Sequence, residues 1–282
     1  MLWPAAGWTK GAAIDYYARV ADTLIPHLRG RPLTLVRFPN GVEGQRFYEK
    51  RAPKGAPEWV ETARVGFDRA GEIDFVVCNE RATLVWLAQL AALELHPSLS
   101  LARSMETPTA LVFDLDPGQP ATIRECCVVG LLVRDLFESI GLESFAKCSG
   151  SKGLQVYVPL NRRATYETTK PFAQAVAQAL ERARPELVVS RMTKKLRVGK
   201  VLVDWSQNTR SKTTVAVYSL RARERPTVST PVTWEEVAAG AAGDADLRFE
   251  ATDVLARIAE HGDLFAPVLE LEQSLPRGRR PG

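Results

Sequence analysis

The sequence predicts an α+β fold, two closely packed α/β halves with an active site in the cleft between them. Apolar residues recur at helical spacing in some stretches and form short runs stopped by Gly, Pro or Asp in others, so helices and strands interleave. At 282 residues the chain suffices for one large core or two smaller ones. No internal repeat or flexible linker is visible, so the halves are expected to be tightly joined. The expected organisation is one catalytic domain over 1–270 and a disordered basic tail over 271–282, because Pro276 to Gly282 is basic and rich in Pro and Gly.

Taken in order, Ile14, Tyr17, Ala21, Leu24 and Leu28 mark an opening amphipathic helix that stops at Gly30. Leu33 to Phe38 reads as a strand, and Gly41 to Gly44 as a turn leading into Arg46 to Lys50. Trp59 to Phe67 and Glu72 to Cys78 read as paired strands around Asp68-Arg69-Ala70-Gly71. A second helix is expected to carry Leu84, Leu87, Ala88, Ala91 and Leu95. After an apolar strand ending in Asp114 and Asp116, Ile123 to Ile140 gives a third helix closed by Gly141. Strands at Ser144 to Lys147 and Leu154 to Val158 bracket a Gly-rich loop. Phe172, Val176 and Leu180 mark a fourth helix, Val201 to Trp205 a strand, and Thr252 to Glu260 the last helix.

Composition excludes several classes. With 45% hydrophobic and 25% charged residues the chain reads as a folded soluble protein. Its longest apolar-rich stretch, Leu84 to Leu95, is broken by Gln89 and Glu94 and is too short for a bilayer. Met1-Leu2-Trp3-Pro4 lacks the regions of a secretory signal. The four cysteines show no Cys-x-x-Cys spacing and are expected to be reduced, mostly buried thiols in the cytoplasm. A net charge of +4 does not itself signal nucleic acid. Its distribution says more: Arg191, Lys194, Lys195, Arg197 and Lys200, then Arg221, Arg223 and Arg225, flank the segment holding Asp204.

Three elements could carry chemistry. In Phe113-Asp114-Leu115-Asp116-Pro117-Gly118, residues i and i+2 of a strand place two carboxylates on one face, about 6.5 to 7 Å apart. Such a pair can share two divalent cations about 3.5 to 4 Å apart. Taken alone, Asp before Pro-Gly is more simply a turn or cap. Asp204, ending the apolar run Val201-Leu202-Val203, is the candidate third ligand, with a strand-end hydrogen-bonding role as the alternative. Ser149-Gly150-Ser151-Lys152-Gly153 can turn backbone N–H groups, hydroxyls and a cation toward an anion, or be a plain hairpin loop. It lacks the Walker A order, and a strand follows it.

These motifs occur with Arg31-Pro32-Leu33, Pro39-Asn40-Gly41-Val42, Phe47-Tyr48-Glu49-Lys50, Glu94-Leu95-His96, Met192-Thr193-Lys194, Val203-Asp204-Trp205-Ser206-Gln207-Asn208 and Tyr218-Ser219-Leu220-Arg221. Over nearly its whole length the chain resembles the polymerase domain of bacterial ligase D, in the archaeo-eukaryotic primase superfamily. The resemblance implies a primase-polymerase fold and template-directed nucleotidyl transfer. Asp114, Asp116 and Asp204 would hold two Mg²⁺ or Mn²⁺ ions, one activating a primer 3′-hydroxyl and the other steadying the triphosphate. Ser149, Lys152 and Gly153 of the loop, with Gln155, His96, Arg197, Lys212 and Arg221, match positions around the metals and nucleotide. Phe47 and Tyr48 match an aromatic pair that stacks on bent template. Lys10 matches a lysine that binds the 5′-phosphate across a gap. A preference for ribonucleotides is also implied.

The chain departs from the family pattern where Gly-Leu-His becomes Gly153-Leu154-Gln155, because Gln can donate to a phosphate but carries no charge. A lysine usual before the segment matching Leu2-Trp3-Pro4 has no counterpart, since the chain begins at Met1. No ligase or nuclease module fits this length, so a stand-alone polymerase is expected, although an excised domain would read identically. The expected role is gap filling or end extension in DNA repair by non-homologous end joining. Expected partners are gapped or broken DNA, nucleoside triphosphates and a ligase or end-binding protein, with no membrane and a monomeric state. The alternatives are a primer-independent primase and a non-catalytic module that binds DNA ends.

Overall fold

The computed structural model describes residues 1–67, 71–162 and 164–276. The first half runs α1 (Lys10–Leu28), β1 (Pro32–Arg37), β2 (Phe47–Glu49), β3 (Thr62–Phe67), β4 (Gly71–Val77), α2 (Arg81–Gln89) and β5 (Ala92–Pro97). The second runs β6 (Ala110–Pro117), α3 (Ile123–Ser139), β7 (Phe145–Cys148), β8 (Leu154–Pro159), α4 (Tyr166–Ala183), β9 (Val188–Val189) and β10 (Val201–Asp204). The chain then returns through β11 (Leu220–Ala222), β12 (Pro226–Val228), β13 (Pro231–Val232), α5 (Trp234–Ala242), α6 (Ala251–His261) and α7 (Pro267–Glu270).

Local chemistry explains the helix starts. Thr9 caps α1 by accepting from Ala12 N at 3.1 Å, and Thr122 with Glu125 and Thr233 with Glu236 form capping boxes at α3 and α5. The Thr233-x-x-Glu236 pattern was visible in the sequence, yet α5 is absent from the helices expected there. The second helix is also shorter than its periodicity implies. It ends at Gln89, Ala91 turns with φ 55°, and Leu95 lies on β5. Residues 92–95 are helix formers by composition, but β5 lies against β1, pairing Leu33 with Pro97 and Leu35 with Leu95. Tertiary pairing therefore overrides local preference, as short buried apolar runs permit.

The first half is a five-stranded antiparallel sheet in which β1 pairs with β2, β4 and β5. In the second, six strands run β13-β7-β8-β6-β10-β9, with only β9 and β10 parallel. Strand β6 belongs to both cores. Leu111, Phe113 and Leu115 enter the second core with α3, whereas Ala110 and Val112 enter the first with α1 and β1. Side chains alternate along a strand, so Asp114 and Asp116 continue the Ala110/Val112 face, the one turned toward the other half.

Buried polar contacts tie α1 and the start of β1 to β5, to the connection leading into β6 and to the returning segment. Arg31 donates to Ser98 O, Leu99 O and Thr109 Oγ1, and the Tyr16 and Tyr17 hydroxyls donate to Tyr218 O and Leu93 O. All four cysteines are free and buried. Among the described residues no helix is long and apolar enough to cross a membrane. Part of the expected disordered tail lies instead on the body: Gln273 donates from its backbone to Leu160 O and from its side chain to Glu143 O and Pro159 O. The polar side chain finds three backbone partners there, which anchors 271–276. Residues 277–282 and the turn expected at Asp68 to Ala70 lie outside the described residues.

Asn208 fixes the middle of the shared strand. Pairing of β10 with β6 ends at Asp204 opposite Asp114, and the Asn208 amide then takes over, accepting from Val112 N at 3.0 Å and donating to Val112 O at 2.8 Å. Replacing Asn208 by Ala would leave these buried groups unpaired. Asn208→Ala is expected to lower unfolding free energy by about 2 to 4 kcal/mol, read by urea denaturation. A loss below about 0.5 kcal/mol would show that the amide does not hold the strand.

Candidate active site

Strand register brings the carboxylates together. Asp204 of β10 is the cross-strand partner of Asp114, and Leu202 is that of Asp116. On the other side Gln155 of β8 opposes Asp114, and Lys147 of β7 opposes Gln155. Lys147, Gln155, Asp114 and Asp204 thus form one row across four strands. Cross-strand neighbours on one face lie about 4.5 to 5.5 Å apart at Cβ.

Each carboxylate is held differently. Asp204, almost fully buried, accepts from Ser206 N and Oγ on one oxygen and from Gln207 Nε2 on the other. Lys212 donates to the Ser206 hydroxyl, so it touches the carboxylate site through one intermediary. Asp114 accepts from Gln155 Nε2 at 3.1 Å. Asp116 is exposed at the strand end. Burial, reinforced by the Asp116 and Asp204 charges, pushes the Asp114 carboxyl up to about 7. Burial and the Asp204 charge also push Asp116 up, although Arg197 and Arg221 oppose this.

Among the described residues no three His, Cys, Asp or Glu side chains already converge tightly enough to cage an ion. The donor set nevertheless fits hard divalent cations, being three carboxylates whose mutual repulsion is only partly offset by the Lys147, Arg197 and Arg221 charges, since Asp114 and Asp116 both stay raised. The thiols do not compete for this role. All four are buried, and burial pushes Cys78 and Cys127 up to about 12.

The Gly-rich loop closes over the end of β6. A Cβ at Gly153 would sit 2.2 Å from Leu115 O, so only glycine permits this approach. The Ser149 hydroxyl accepts from Ser151 N at 3.3 Å and Gly153 N at 3.2 Å. This corrects the expectation that the loop's amides face an anion: these two are used within the loop, as serine side chains commonly do in turns. Lys152 is exposed. A cavity of about 460 Å³ opens beside the loop, lined by Pro117, Thr122, Lys152, Gly153 and Arg248. Its lining includes none of the three aspartates.

Arg197 lies in the basic stretch after β9 and donates to Met192 O at 2.7 Å. Its own backbone packs on the turn that follows the carboxylates, since a Cβ at Gly118 would lie 1.9 Å from Arg197 O. Arg221, on β11, donates to Ser149 O at 2.8 Å and lies 3.2 Å from Glu94 Oε1. His96 is on strand β5, not at the helix end expected, because α2 stops early; its Nε2 is 3.1 Å from Glu94 Oε2.

The expected DNA contacts stand farther out. Phe47 and Tyr48 are exposed neighbours on β2, a short strand that among the described residues pairs only with β1. Adjacent strand residues point to opposite faces, so they cannot both stack on the same base. Arg46 covers the Tyr48 ring at 5.4 Å. Burial and the Arg221 charge lower Arg223, which also senses Arg46 and Tyr48, so the basic patch runs from the loop toward β2. Lys10 is exposed in the first turn of α1. Sequence reasoning missed Lys147, fully buried, which donates to Ser229 Oγ at 2.6 Å and is pushed down to about 7 by burial and the Arg221 charge. Its only sequence signal is a lysine inside an apolar strand.

Comparison with known proteins follows this geometry. Residues 9–265 match the family described as LigD, primase-polymerase domain. The chain belongs to that family. It is 44% identical over 271 residues to the multifunctional non-homologous end joining protein LigD of Mycolicibacterium smegmatis, covering 95% of this chain and 35% of that protein. Identity to the bifunctional non-homologous end joining protein LigD of Bacillus subtilis is 35% over 230 residues, 81% of this chain and 37% of that protein. The chain therefore spans about a third of the length of these curated relatives. A solved structure of the polymerase domain from Mycobacterium tuberculosis ligase D in complex with DNA superposes with a TM-score of 0.89 at 42% identity, covering 95% of both chains. The LigD primase-polymerase family places this chain among the DNA nucleotidyltransferases, a class that depends on divalent metal.

The raised Asp114 carboxyl has a consequence for stability. Between 3.8, its ordinary value, and about 7, the folded protein holds a proton that the unfolded chain releases. The metal-free protein should therefore lose stability from this group as pH rises through that window, with no further change above it. Thermal unfolding in chelator across pH 4 to 8 is expected to show a shallower fall for Asp114→Asn than for the wild type. Identical slopes would mean that the carboxyl is not raised.

Proposed function

We propose that this chain performs template-directed nucleotidyl transfer at short gaps or broken DNA ends, as part of non-homologous end joining. The observation that carries this reading is the strand register setting Asp114 and Asp116 beside Asp204, with Gln155 on their other flank. Asp114, Asp116 and Asp204 would hold two divalent ions, Mg²⁺ or Mn²⁺. When bound, such ions lower the pKa of a primer 3′-hydroxyl and neutralise triphosphate charge.

The chain's own residues do the rest. Lys152 and Arg221 supply positive charge on either side of the Gly-rich loop, while Arg197 offsets the Asp116 charge at the strand end. Lys212 buttresses Ser206, which holds Asp204 in place. Ser149 and Gly153 shape the loop. Tyr48 and Phe47 offer rings on two faces of an outlying strand, suited to unpaired template bases on either side. Lys10 provides a cation for a downstream 5′-phosphate. We also infer a preference for ribonucleotides, a cytoplasmic setting, and a ligase or end-binding protein as partner.

Primer-independent initiation would use the same carboxylates, so extension on a one-nucleotide gap must be compared with an unprimed template. Expected results are extension on the gap, stimulation by its 5′-phosphate, little product without primer, and loss by about 10³-fold or more in Asp114→Ala. No extension by the wild type, with binding of gapped DNA unchanged in Asp114→Ala with Asp116→Ala, would support a binding module instead. A second expectation concerns Gln155, whose buried Nε2 donates to Asp114 and whose Oε1 has no partner among the described residues. Gln155→His is expected to lower KM for the triphosphate roughly 3- to 10-fold. Unchanged KM and kcat would remove the argument at this position.

A further inference from the structure

Glu94 stands apart from every residue considered so far. It is a buried carboxylate on β5, in the opposite half from the aspartates, and its side-chain contacts are His96, Ala222 and Arg221. Its Oε2 is 3.1 Å from His96 Nε2. Its Oε1 accepts from Ala222 N at 3.1 Å and lies 3.2 Å from Arg221 Nε, although that N–H is not aligned for a hydrogen bond. Arg221 in turn grips the Gly-rich loop through Ser149 O.

We propose that Glu94 is a positioning residue of the nucleotide site, fixing the Arg221 guanidinium and the His96 tautomer from below without touching nucleotide or metal. The geometry carries this. Glu94 and His96 are two apart on one strand and share a face. Arg221 and Ala222 come from β11, which packs across β5 through Leu95 N to Ser219 Oγ. One carboxylate therefore ties together two strands and, through Arg221, the loop of the second half.

Charge balance supports the same assignment. Burial alone would raise the Glu94 carboxyl, but the His96 bond, the Arg221 charge and the Ala222 N–H outweigh it and hold it at about 2. It is therefore ionised and can only accept, so His96 must carry its proton on Nε2. Burial, with the Arg221 and Lys147 charges, lowers His96 overall despite Glu94, which keeps the ring neutral near pH 7. Nδ1 is then a bare acceptor. Arg221, with Nη1 given to Ser149 and Nε beside Glu94, keeps Nη2 without a partner among the described residues. The clamp thus leaves one donor and one acceptor available.

The proposal rests on Arg221 and His96 facing the triphosphate substrate, and its test separates the two ideas. Glu94→Gln keeps an oxygen for Ala222 N but removes the charge. On a primed gap, Glu94→Gln is expected to raise KM for the nucleoside triphosphate about 10- to 100-fold. Changes in kcat at saturation and in Kd for gapped DNA should stay under about 3-fold. Combined with Arg221→Ala, its effect should fall well short of multiplicative. A normal KM in folded Glu94→Gln would overturn the proposal, as would parallel losses in kcat, KM and DNA affinity that track a lower Tm. If Arg221→Ala itself leaves KM unchanged, the wider reading of the nucleotide site fails instead. Should Glu94→Gln not fold, the ¹⁵N resonances of His96 in the wild-type protein decide the matter. The Nε2–H tautomer at pH 7 is expected, and the Nδ1–H tautomer or the imidazolium would refute it.

Discussion

The structure depends on the alternation of side chains along β6. One strand supplies both cores, odd-numbered residues to the second and even-numbered residues to the first, and the even face runs out of apolar residues where the two halves part. Carboxylates placed on that face by the same period necessarily emerge in the cleft. A one-residue slip of β6 against β8 and β10 would turn Asp114 and Asp116 into the α3 core and expose Phe113 and Leu115. The apolar burial that stabilises the sheet is therefore also what fixes the register of the site. Asn208 reinforces this by bonding both backbone groups of Val112, just where β10 leaves the strand.

The row from Lys147 through Gln155 to Asp114 and Asp204 gives the departure at position 155 a physical context. In the family pattern a histidine would stand between a buried cation and a buried carboxylate. Here a neutral amide stands between them in the row, donating to Asp114 without adding a second titrating cation beside Lys147. Lys147 is already strained electrostatically, pushed down to about 7 by burial and by Arg221. Gln155 keeps the orientation of Asp114 while leaving the charge on the row to Lys147 and the aspartates. What it gives up is a cation at that spot for a triphosphate oxygen.

Much of this was legible from residue order. The strand carrying Asp114 and Asp116, the helix from Ile123, the hairpin around the Gly-rich loop and the strand ending at Asp204 all follow from period and punctuation, which are local properties. The early end of α2 was not legible. Ala92 to Pro97 contains good helix formers and becomes a strand only because β1 lies alongside. That misreading also hid the relation between Glu94 and His96, since on a helix the two would not share a face. The internal use of the Ser149 hydroxyl and the burial of Lys147 escaped for a similar reason: both depend on which atoms lie across a strand or loop, and residue type alone does not specify that. The family resemblance picked out His96 and Arg221 and included Glu94 in the motif Glu94-Leu95-His96, but assigned Glu94 no role.

The two kinds of buried carboxylate in this cleft suggest how it divides its work. Glu94 is compensated within the protein by an imidazole, a guanidinium and a backbone amide, and its acidity is held low even though it is buried. Asp114 has a carboxamide on one oxygen and like charges for neighbours, so its acidity falls and its negative charge is incomplete near neutral pH. A compensated carboxylate gains nothing from an external cation and is suited to holding other groups still. The aspartate set, only partly offset by Lys147, Arg197 and Arg221, is relieved further by positive charge arriving from outside. The same contrast separates positioning from chemistry: Glu94 of β5 is compensated within the protein, whereas Asp114 of β6 keeps a raised carboxyl that a bound cation would relieve.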